Sequence, residues 1–312
     1  MIDRNARILV TGAGGMVGHA LIGELSAAGF GDVLTPSSAE VDMRDGVATI
    51  KYLQDARPDY VYHLAAKVYG MKGNRDNKGL SFYENVLINT NVVEACRLAG
   101  VKKIVAMGSG AVYPYPPPDQ FLKEETMWNG FPHESEDSYA IAKRALSSQL
   151  DAYKVQYGTE FVFAISGNLY GPHDKFDTDG GHVTPSLVAK FHHAKTTGGR
   201  VQVWGTGQAQ RDFTFGADMA RALIFCMDKG QGSINVGSGF VHKIADVVDI
   251  LTEITGLQGR VDYTRDNGDG QMFRAYNLVR LQALGYTAQV QLRDGVAQTY
   301  AWYEANHASA RR

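Results

Sequence analysis

The sequence predicts an α/β fold in which a doubly wound parallel sheet carries a smaller α/β lobe. Three observations lead to this prediction. Short apolar runs alternate with longer amphipathic stretches through the first half of the chain, a glycine-rich turn follows the first run, and glycine clusters punctuate the second half. Parallel strands need long crossover connections, which helices usually provide, so this alternation indicates a parallel sheet with helices on both faces.

Each element of the first half is predicted from its own pattern. Short runs rich in β-branched and aromatic residues predict strands at 8–10, 32–34, 60–62 and 103–107. The helical spacing of apolar residues predicts helices at 17–28, 47–56, 81–99 and 138–153. Because strand and helix alternate regularly, we place these elements in one domain.

The second half predicts a smaller lobe over the carboxyl edge of this sheet. Residues 171–181 are rich in Gly, Asp and His, and glycines at 198–199 and 205–207 separate short strands. Residues 232–236 are predicted to return to the main sheet as a strand, and helices are predicted at 244–255 and 293–306. The predicted boundaries are 1–170 for the sheet domain, with a return segment near 208–245, and 171–312 mainly for the lobe.

The composition is that of an ordinary globular protein. The chain has 312 residues, 44% of them hydrophobic, and a net charge of −2, so no basic excess attracts nucleic acid. No apolar stretch approaches the roughly 20 residues of a membrane span, and the first apolar run is too short for a signal peptide, so a cytoplasmic location is expected. Cys96 and Cys226 lie far apart without metal-ligand spacing. We predict buried free thiols and no metal site.

The segment TGAGGMVG, residues 11–18, lies between the first predicted strand and the first predicted helix. Glycines at this place allow a tight turn and let the backbone approach a pyrophosphate at the positive end of the helix. This context predicts a dinucleotide site of the Rossmann type, formed by Gly12, Gly15, Met16, Val17 and Gly18.

Cofactor choice depends on the residues at the end of the second predicted strand. An acidic residue there binds the adenosine ribose, whereas an arginine favours its 2′-phosphate. The chain has Thr35-Pro36-Ser37-Ser38 at this place. Ser37 and Ser38 are predicted to give hydrogen bonds to a phosphate, and the sequence does not decide between NADPH and NADH.

Ser109, Tyr139 and Lys143 are the predicted catalytic residues. The spacing of Tyr139 and Lys143 places both side chains on one face of a helix, and Ser109 follows a predicted strand. A nearby ammonium favours the phenolate of a tyrosine, whose pKa is ordinarily about 10, so the pair can transfer a proton near neutral pH. We therefore expect Lys143 to lower the pKa of Tyr139.

Blocks along nearly the whole chain resemble the extended short-chain dehydrogenase/reductase superfamily, and within it the GDP-L-fucose synthases and related sugar-nucleotide reductases. In order, they are TGAGGMVG, HLAAKVYG, MGSGAVYP, SYAIAK, NLYGPHDKF, GGHVTPSLVAKFHHA, VQVWGTGQAQRDF and GYTAQVQLRDGVAQTYAWY. The resemblance implies an NADPH-dependent reductase of a GDP-linked keto-sugar, with the sugar nucleotide in the lobe. It also implies a homodimer in which the helices at 81–99 and 138–153 pair across a two-fold axis.

The resemblance also assigns roles to single residues. Ser109 would hydrogen-bond the substrate carbonyl, Tyr139 would protonate its oxygen as hydride arrives, and Lys143 would hold the cofactor ribose. The residues implied for the cofactor channel and the nicotinamide pocket are Ala65, Ala66, Lys67, Asn168, Leu169 and Tyr170. The residues implied for binding the substrate, through its diphosphate or by covering it, are Lys190, Trp204, Arg211 and Arg274.

One departure from these relatives decides the predicted reaction. The fucose synthases have a cysteine where this chain has Ala111, and that cysteine works with a histidine, matched here by His182, to move protons beside the ketone. A methyl group cannot titrate. We predict C4 reduction of a GDP-4-keto-6-deoxy sugar of the manno series, hexose or heptose, without epimerisation, and binding roles for Ala111 and His182. The bifunctional alternative stays open if His173 or Asp177 supplies the missing base.

Other departures concern binding. Tyr69 stands where the fucose synthases have glycine, and its bulk either reshapes the sugar pocket or packs the loop. Gly14 and residues 36–38 stand where those enzymes have arginines near the adenosine 2′-phosphate. NADPH is therefore implied by the resemblance alone.

Three rival classes fit less well. A sugar-nucleotide 4,6-dehydratase needs an acidic residue just after the strand-end serine, where this chain has Gly110 and Ala111. A 4-epimerase shares the catalytic triad, but the second half of the chain resembles the fucose synthases. A non-catalytic module that senses dinucleotide has no use for Tyr139.

Overall fold

The computed structural model describes residues 2–264, 268 and 270–311. The strands are β1 (Ile8–Thr11), β2 (Val33–Leu34), β3 (Tyr60–His63), β4 (Lys103–Met107), β5 (Phe121–Leu122), β6 (Glu160–Ser166), β7 (Asn168–Tyr170), β8 (Val201–Trp204), β9 (Gln210–Phe215), β10 (Gly232–Val236), β11 (Val241–Lys243), β12 (Val261–Thr264) and β13 (Phe273–Tyr276). The α-helices are α1 (Met16–Ala27), α2 (Gly46–Ala56), α3 (Gly70–Asp76), α4 (Lys78–Ala99), α5 (Asp137–Tyr157), α6 (Val183–Thr197), α7 (Gly216–Lys229), α8 (Ile244–Thr255), α9 (Val279–Ala283) and α10 (Leu292–Asn306).

Parallel strands in the order β2-β1-β3-β4-β6-β10 form the main sheet. Each strand pairs in parallel with its neighbours. The chain moves from β1 outward to β2 on one side and from β3 outward to β10 on the other, which confirms the predicted doubly wound fold. Ligands of such sheets bind outside the carboxyl ends of the strands where the order reverses, here between β1 and β3.

Strand β6 has no counterpart among the strands predicted from the sequence. Its segment, EFVFAIS, is buried without interruption from Phe161 to Ser166. Such a continuous run is typical of a central parallel strand that is covered on both faces. It pairs with β4 on one side and with β10 on the other. Strand β6 therefore connects the returning strand β10 to the rest of the main sheet.

Helices cover both faces of the main sheet. On one face α2, α4 and α5 contribute Leu53, Val92 and Leu146 to the core. On the other face α1 and α7 contribute Leu21 and Leu223. Helices α4 and α5 also pack against each other, and α5 contacts strand β6.

The lobe is built from smaller sheets at the carboxyl edge. Strands β11, β9, β13 and β5 form one sheet, to which β7 adds by pairing with β9, and β8 pairs in parallel with β12. Helices α6, α8 and α10 enclose a third core that contains Phe191, Leu251 and Tyr300. Because only Gly167 separates the end of β6 from the start of β7, the main sheet leads directly into the lobe.

Two findings concern membrane and metal binding. Across residues 2–264, 268 and 270–311, no helix is long and apolar enough to cross a membrane. Within that same part of the chain, no three His, Cys, Asp or Glu side chains group as metal ligands.

Cys96 and Cys226 are buried free thiols, and burial raises the pKa of each above its ordinary value.

Candidate active site

The turn between β1 and α1 is shaped to approach a ligand closely. Gly12 has φ +71°, and a Cβ on it would lie 2.7 Å from the backbone nitrogen of Ala65. A Cβ on Gly18 would lie 2.4 Å from the carbonyl oxygen of Ala13. Only glycine fits at both positions, so the turn packs tightly against the loop after β3 and against the start of α1, as in dinucleotide-binding turns that present the amino end of a helix to a phosphate. The other residues predicted here lie at the N-cap and in the first turn of α1: Gly15, Met16 and Val17.

A buried chain of hydrogen bonds connects this turn to α4. Thr11 Oγ1 accepts a hydrogen bond from the backbone nitrogen of Ala65 at 3.2 Å and lies 2.9 Å from His63 Nδ1. His63 Nε2 lies 3.1 Å from Asn89 Oδ1, so Nε2 carries the proton and the Thr11 hydroxyl donates to Nδ1. Burial, and after it the charge of Lys143, lowers the pKa of His63 to about 3, so the ring is neutral. Neither His63 nor Asn89 is among the residues predicted for the site.

The loop after β3 holds the next predicted cofactor residues, Ala65, Ala66 and Lys67. Asn85 on α4 fixes the backbone of Lys67 by accepting from its nitrogen and donating to its oxygen, each at 3.0 Å. The side chain of Lys67 is exposed. The loop backbone is therefore rigidly held, and the ammonium faces solvent.

The loop after β2 contains a carboxylate that the sequence analysis does not assign. Glu40 accepts a hydrogen bond from the backbone nitrogen of Ser37 at 2.8 Å, and its own nitrogen donates to Ser37 Oγ at 3.3 Å. Ser37 and Ser38 are exposed. The hydroxyl of Ser37 keeps its own proton for a donor bond, because it acts as the acceptor within the turn.

A guanidinium from the far end of the chain reaches the glycine turn. Arg311 donates to the carbonyl oxygen of Gly14 at 3.3 Å, and its own carbonyl accepts from the backbone nitrogen of Phe176 at 2.8 Å. His19 and His173 stack beside the turn with ring centroids 4.0 Å apart. Arg311 thus supplies the positive charge that the glycine motif lacks, and no local pattern in the sequence indicates it.

Tyr139 and Lys143 lie one turn apart on α5. The ammonium of Lys143 is 5.9 Å from the centre of the Tyr139 ring and donates to the carbonyl oxygen of Met107 at 2.8 Å. Burial lowers the pKa of Lys143 to about 8. Met107 ends β4 two residues before Ser109, so the lysine joins the helix of Tyr139 to the strand that leads to Ser109.

The pKa of Tyr139 differs from the prediction made from spacing alone. Burial raises it above the ordinary value, and the charge of Glu136 acts in the same direction. The predicted lowering by Lys143 is therefore wrong, because the phenolate would be desolvated and would lie near a carboxylate. A raised pKa keeps the phenol protonated at neutral pH, which is the form that a proton donor needs.

Ser109 caps a short 3₁₀ turn, Gly110–Val112, directly after β4. Its Oγ accepts a hydrogen bond from the backbone nitrogen of Ala111 at 3.2 Å, so its O–H can donate to a ligand. Ala111 is buried, and His182 is exposed at the N-cap of α6. These two positions therefore offer one imidazole and one methyl group, not a pair of titratable groups.

The predicted nicotinamide pocket lies at the start of β7. Asn168 pairs in register with Phe213 and Leu169 with Thr214 of β9. Asn168 Oδ1 is buried with no hydrogen-bond partner among the described residues, which costs about 1–3 kcal/mol unless a ligand supplies a donor. Together with the glycine turn, this orphaned oxygen fits a dinucleotide that carries a carboxamide.

Tyr170, the third residue implied for this pocket, has a different place. Its ring is buried in the core of the lobe, 6.4 Å from that of Phe213 and 5.6 Å from that of Phe215. A Cβ on Gly295 would lie 2.2 Å from its hydroxyl oxygen. Tyr170 therefore joins α10 to the lobe sheet and is not a pocket residue.

Arg211 and Arg274 lie opposite each other on the neighbouring parallel strands β9 and β13. Burial, and then the charge of Arg274, lowers the pKa of Arg211 to about 10. Arg274 contacts Glu136 at 3.4 Å, and Glu136 precedes Tyr139 by three residues. Two guanidinium groups held side by side favour a multiply charged anion such as a diphosphate, and Glu136 links this pair to the catalytic helix.

Lys190 and Trp204 form a second pair, on α6 and β8. The ammonium lies 4.2 Å from the centre of the indole ring, and the indole is 45% exposed. Lys190 also donates to the carbonyl oxygen of Gln202 at 3.3 Å. An exposed aromatic face beside a cation suits a planar base that is attached to phosphates.

The two residues that could replace a missing base are engaged elsewhere. His173 stacks on His19 and lies against Trp302, with ring centroids 4.0 Å and 4.6 Å apart. Asp177 accepts hydrogen bonds from the backbone nitrogens of Asp179 and Gly180, which lower its pKa. Both residues therefore have contacts of their own in this structure, which hold their side chains in place.

Tyr69 packs its loop against α4. Its hydroxyl donates to Glu84 at 2.5 Å, and Glu84 also pairs with Arg44. The sequence predicts that the bulk of Tyr69 either reshapes the sugar pocket or packs the loop. The structure shows the second of these, because Tyr69 anchors its loop to α4.

The chain belongs to the NAD dependent epimerase/dehydratase family, whose profile matches residues 8–237. The matched range includes the glycine turn, the end of β4, helix α5 and strand β10.

The chain is 34% identical to GDP-L-fucose synthase 1 of Arabidopsis thaliana, over 98% of this chain and 95% of that protein. Its fold matches a GDP-6-OMe-4-keto-L-xylo-heptose reductase from C. jejuni with a TM-score of 0.92 and 28% identity, covering 98% of this chain and 99% of that one. It also matches a GDP-mannoheptose C4 reductase from Campylobacter jejuni with NADP bound, with a TM-score of 0.88 and 29% identity, covering 97% of this chain and 100% of that one.

Proposed function

We propose that this protein reduces the C4 ketone of a GDP-4-keto-6-deoxy sugar of the manno series, hexose or heptose, with NADPH and without epimerisation. The observation that carries the proposal is a complete set for reduction, Ser109, Tyr139 and Lys143, next to an alanine at position 111. The similar proteins include a fucose synthase and two heptose reductases. The similarity to these proteins supports a GDP-linked keto-sugar as the substrate.

The catalytic residues divide the reduction between them. Tyr139 gives its phenolic proton to the carbonyl oxygen as the carbon–oxygen double bond becomes single, and the phenol becomes a phenolate. Ser109 donates a hydrogen bond to the same oxygen, and the ammonium of Lys143 stabilises the phenolate that forms. When bound, the reduced nicotinamide supplies the hydride that C4 receives.

We assign the dinucleotide to the carboxyl edge between β1 and β3. The glycine turn and the orphaned oxygen of Asn168 support this assignment. Arg311 at the turn favours NADPH, because the 2′-phosphate adds negative charge that a guanidinium binds well. The residues assigned to the cofactor are Gly12, Gly15, Met16, Val17, Gly18, Ser37, Ser38, Ala65, Ala66, Lys67, Asn168, Leu169 and Arg311.

We assign the nucleotide sugar to the side of the lobe where Arg274 contacts Glu136, next to the start of α5. Arg211 and Arg274 bind the diphosphate, with Glu136 connecting them to the catalytic helix. Lys190 and Trp204 bind the nucleotide end, where the exposed indole covers the base. Ala111 and His182 line the sugar end without titrating as a pair.

Epimerisation needs a base on one face of the sugar and an acid on the other. Ala111 supplies neither, and His173 and Asp177 are held by other contacts. With His182 as the only imidazole assigned to the sugar end, the carbons beside the ketone keep their configuration.

We also propose a homodimer formed through α4 and α5. Leu80, Phe82 and Tyr83 on α4 and Val155 on α5 are exposed apolar side chains that a second copy would cover. Multi-angle light scattering at several concentrations tests this. A mass of one chain at all concentrations would contradict it.

The deciding experiment is NMR of the products formed in D₂O from NADPH and enzymatically made GDP-4-keto-6-deoxy hexose and heptose. We expect NADPH oxidation, a new hydroxyl at C4, and no deuterium at C3 or C5. Deuterium at C3 or C5 with inverted centres there would favour the bifunctional fucose-synthase alternative. Failure to oxidise NADPH with either sugar would contradict the proposed reductase activity. The Tyr139→Phe variant serves as the inactive control.

A further inference from the structure

Tyr276 ends strand β13 and places its phenol against the catalytic loop. A Cβ built on Gly110 would lie 2.0 Å from the hydroxyl oxygen of Tyr276 and 2.9 Å from its Cζ. A Cβ on Gly167 would lie 2.9 Å from Cε2 of the same ring. Two glycines, one directly after Ser109 and one directly after β6, therefore make the space that this side chain fills.

The hydroxyl of Tyr276 has no hydrogen-bond partner among the described residues. The side chain is 4% exposed, and within the described ranges no residue forms a hydrogen bond with its hydroxyl. Two other buried tyrosines have internal partners, since Tyr113 donates to Asn235 Oδ1 at 2.5 Å and Tyr286 to the carbonyl oxygen of Asp218 at 2.7 Å. The enclosed hydroxyl of Tyr62 has none among the described residues. A phenolic hydroxyl that makes no hydrogen bond inside the protein has its donor free for a ligand.

The surroundings of Tyr276 belong to the substrate side of the site. Arg274 lies two residues earlier on the same strand, so both side chains leave the same face. Arg274 is in register with Arg211 and contacts Glu136. Burial raises the pKa of Tyr276 to about 12, so the hydroxyl stays a neutral hydrogen-bond donor.

We infer that Tyr276 binds the sugar of the substrate and determines specificity for it: its hydroxyl donates a hydrogen bond to a sugar oxygen beside the carbonyl that Ser109 contacts. The inference rests on the proposed function, because it takes Ser109 as the residue at the reacting carbonyl. The order from the assigned diphosphate site to the catalytic loop is the arginine pair, then Tyr276, then Gly110 beside Ser109. Tyr276 therefore contacts the sugar, and the arginines contact the diphosphate.

Tyr276→Phe tests this by removing the hydroxyl while keeping the ring between the two glycines. We expect kcat/KM for the keto-sugar to fall about tenfold, with most of the change in KM, as for loss of one hydrogen bond. Calorimetric titration with GDP and with the reduced GDP-6-deoxy sugar separates the two ends of the substrate. The variant should lose about tenfold in affinity for the reduced sugar nucleotide and keep the wild-type affinity for GDP and NADPH.

Tyr113→Phe is the matched control. It removes a hydroxyl from a side chain of the same exposure, 4%, whose partner is Asn235 and not a ligand. We expect a lower unfolding midpoint and an unchanged ratio of sugar-nucleotide affinity to GDP affinity.

Two outcomes separate the inference from the function on which it rests. A wild-type protein that turns over neither keto-sugar contradicts the proposed function. An active wild type together with a Tyr276→Phe variant that keeps the wild-type affinity ratio contradicts the inference alone, because the hydroxyl would then be only structural. The binding titrations need no turnover, so they remain informative in both cases.

Discussion

Lys143 donates a hydrogen bond to the carbonyl oxygen of Met107 at 2.8 Å, and this contact ties α5 to the end of β4. Tyr139 lies one helical turn before the lysine, and Ser109 lies two residues after Met107. Both partners are buried, so a shift of the helix along the sheet would leave an ammonium without its acceptor, which is costly. The lysine therefore fixes the two groups of the proposed reduction relative to each other.

The buried ammonium predicts how activity depends on pH. Burial lowers the pKa of Lys143 from 10.5 to about 8, so the group is charged below that pH and loses its proton as the pH rises through it. We expect kcat/KM for NADPH, which reports on the free protein, to decline above about pH 8. Lys143→Met should have low activity without this decline. A wild-type profile that stays level to about pH 10, the ordinary range of a lysine, would contradict the assignment.

Tyr139→Phe removes only the phenolic oxygen. We expect kcat to fall by about 10²–10⁴-fold, because the substrate oxygen loses its proton donor, while the Kd for NADPH stays unchanged. Stopped-flow absorbance of NADPH measures the first quantity and fluorescence titration the second. Tyr153→Phe, on the same helix, is the control: its hydroxyl donates to Glu94 at 2.9 Å, and its kcat should equal that of the wild type. Full activity in Tyr139→Phe would favour a binding module over an enzyme.

Much of the fold could be predicted from the sequence because its signals are local. Strand β4 and helix α8 have the predicted bounds, and α4 begins at Lys78, three residues before the predicted start. Strand β6 could not be predicted in this way. Its uninterrupted burial from Phe161 to Ser166 produces neither the alternation of a half-buried strand nor the period of a helix.

The candidate site was predictable only where its residues stand in short motifs at strand and helix ends. Arg311 meets Gly14 across 297 positions of the chain, and Tyr276 meets Gly110 through a contact that no spacing encodes. The spacing predicts a lowered pKa for Tyr139, and this prediction is wrong for the same reason. Spacing shows which group is near in sequence, but burial and Glu136 decide the sign of the shift.

Gly12→Ala is expected to disturb the dinucleotide site and the fold together. Gly12 has φ +71°, and an added Cβ would lie 2.7 Å from the backbone nitrogen of Ala65. The alanine should therefore lower the free energy of unfolding by about 1–3 kcal/mol and weaken NADPH binding. Denaturant unfolding and a fluorescence titration measure the two effects. Gly14→Ala in the same turn is the control, since nothing lies within 4 Å of its Cβ position. Equal losses in both variants would contradict the close-approach geometry.

Arg311→Glu tests the source of cofactor preference. The guanidinium donates one N–H group to Gly14, which leaves other donors for phosphate oxygens. We expect the Kd for NADPH to rise about tenfold at low salt and less at high salt, because an exposed charge is screened, and the Kd for NADH to change less. Arg57→Glu makes the same charge change in the loop before β3, at the opposite edge of the sheet, and should leave both values unchanged. Equal losses for NADPH and NADH would place the guanidinium at the shared pyrophosphate and contradict its role in choosing between them.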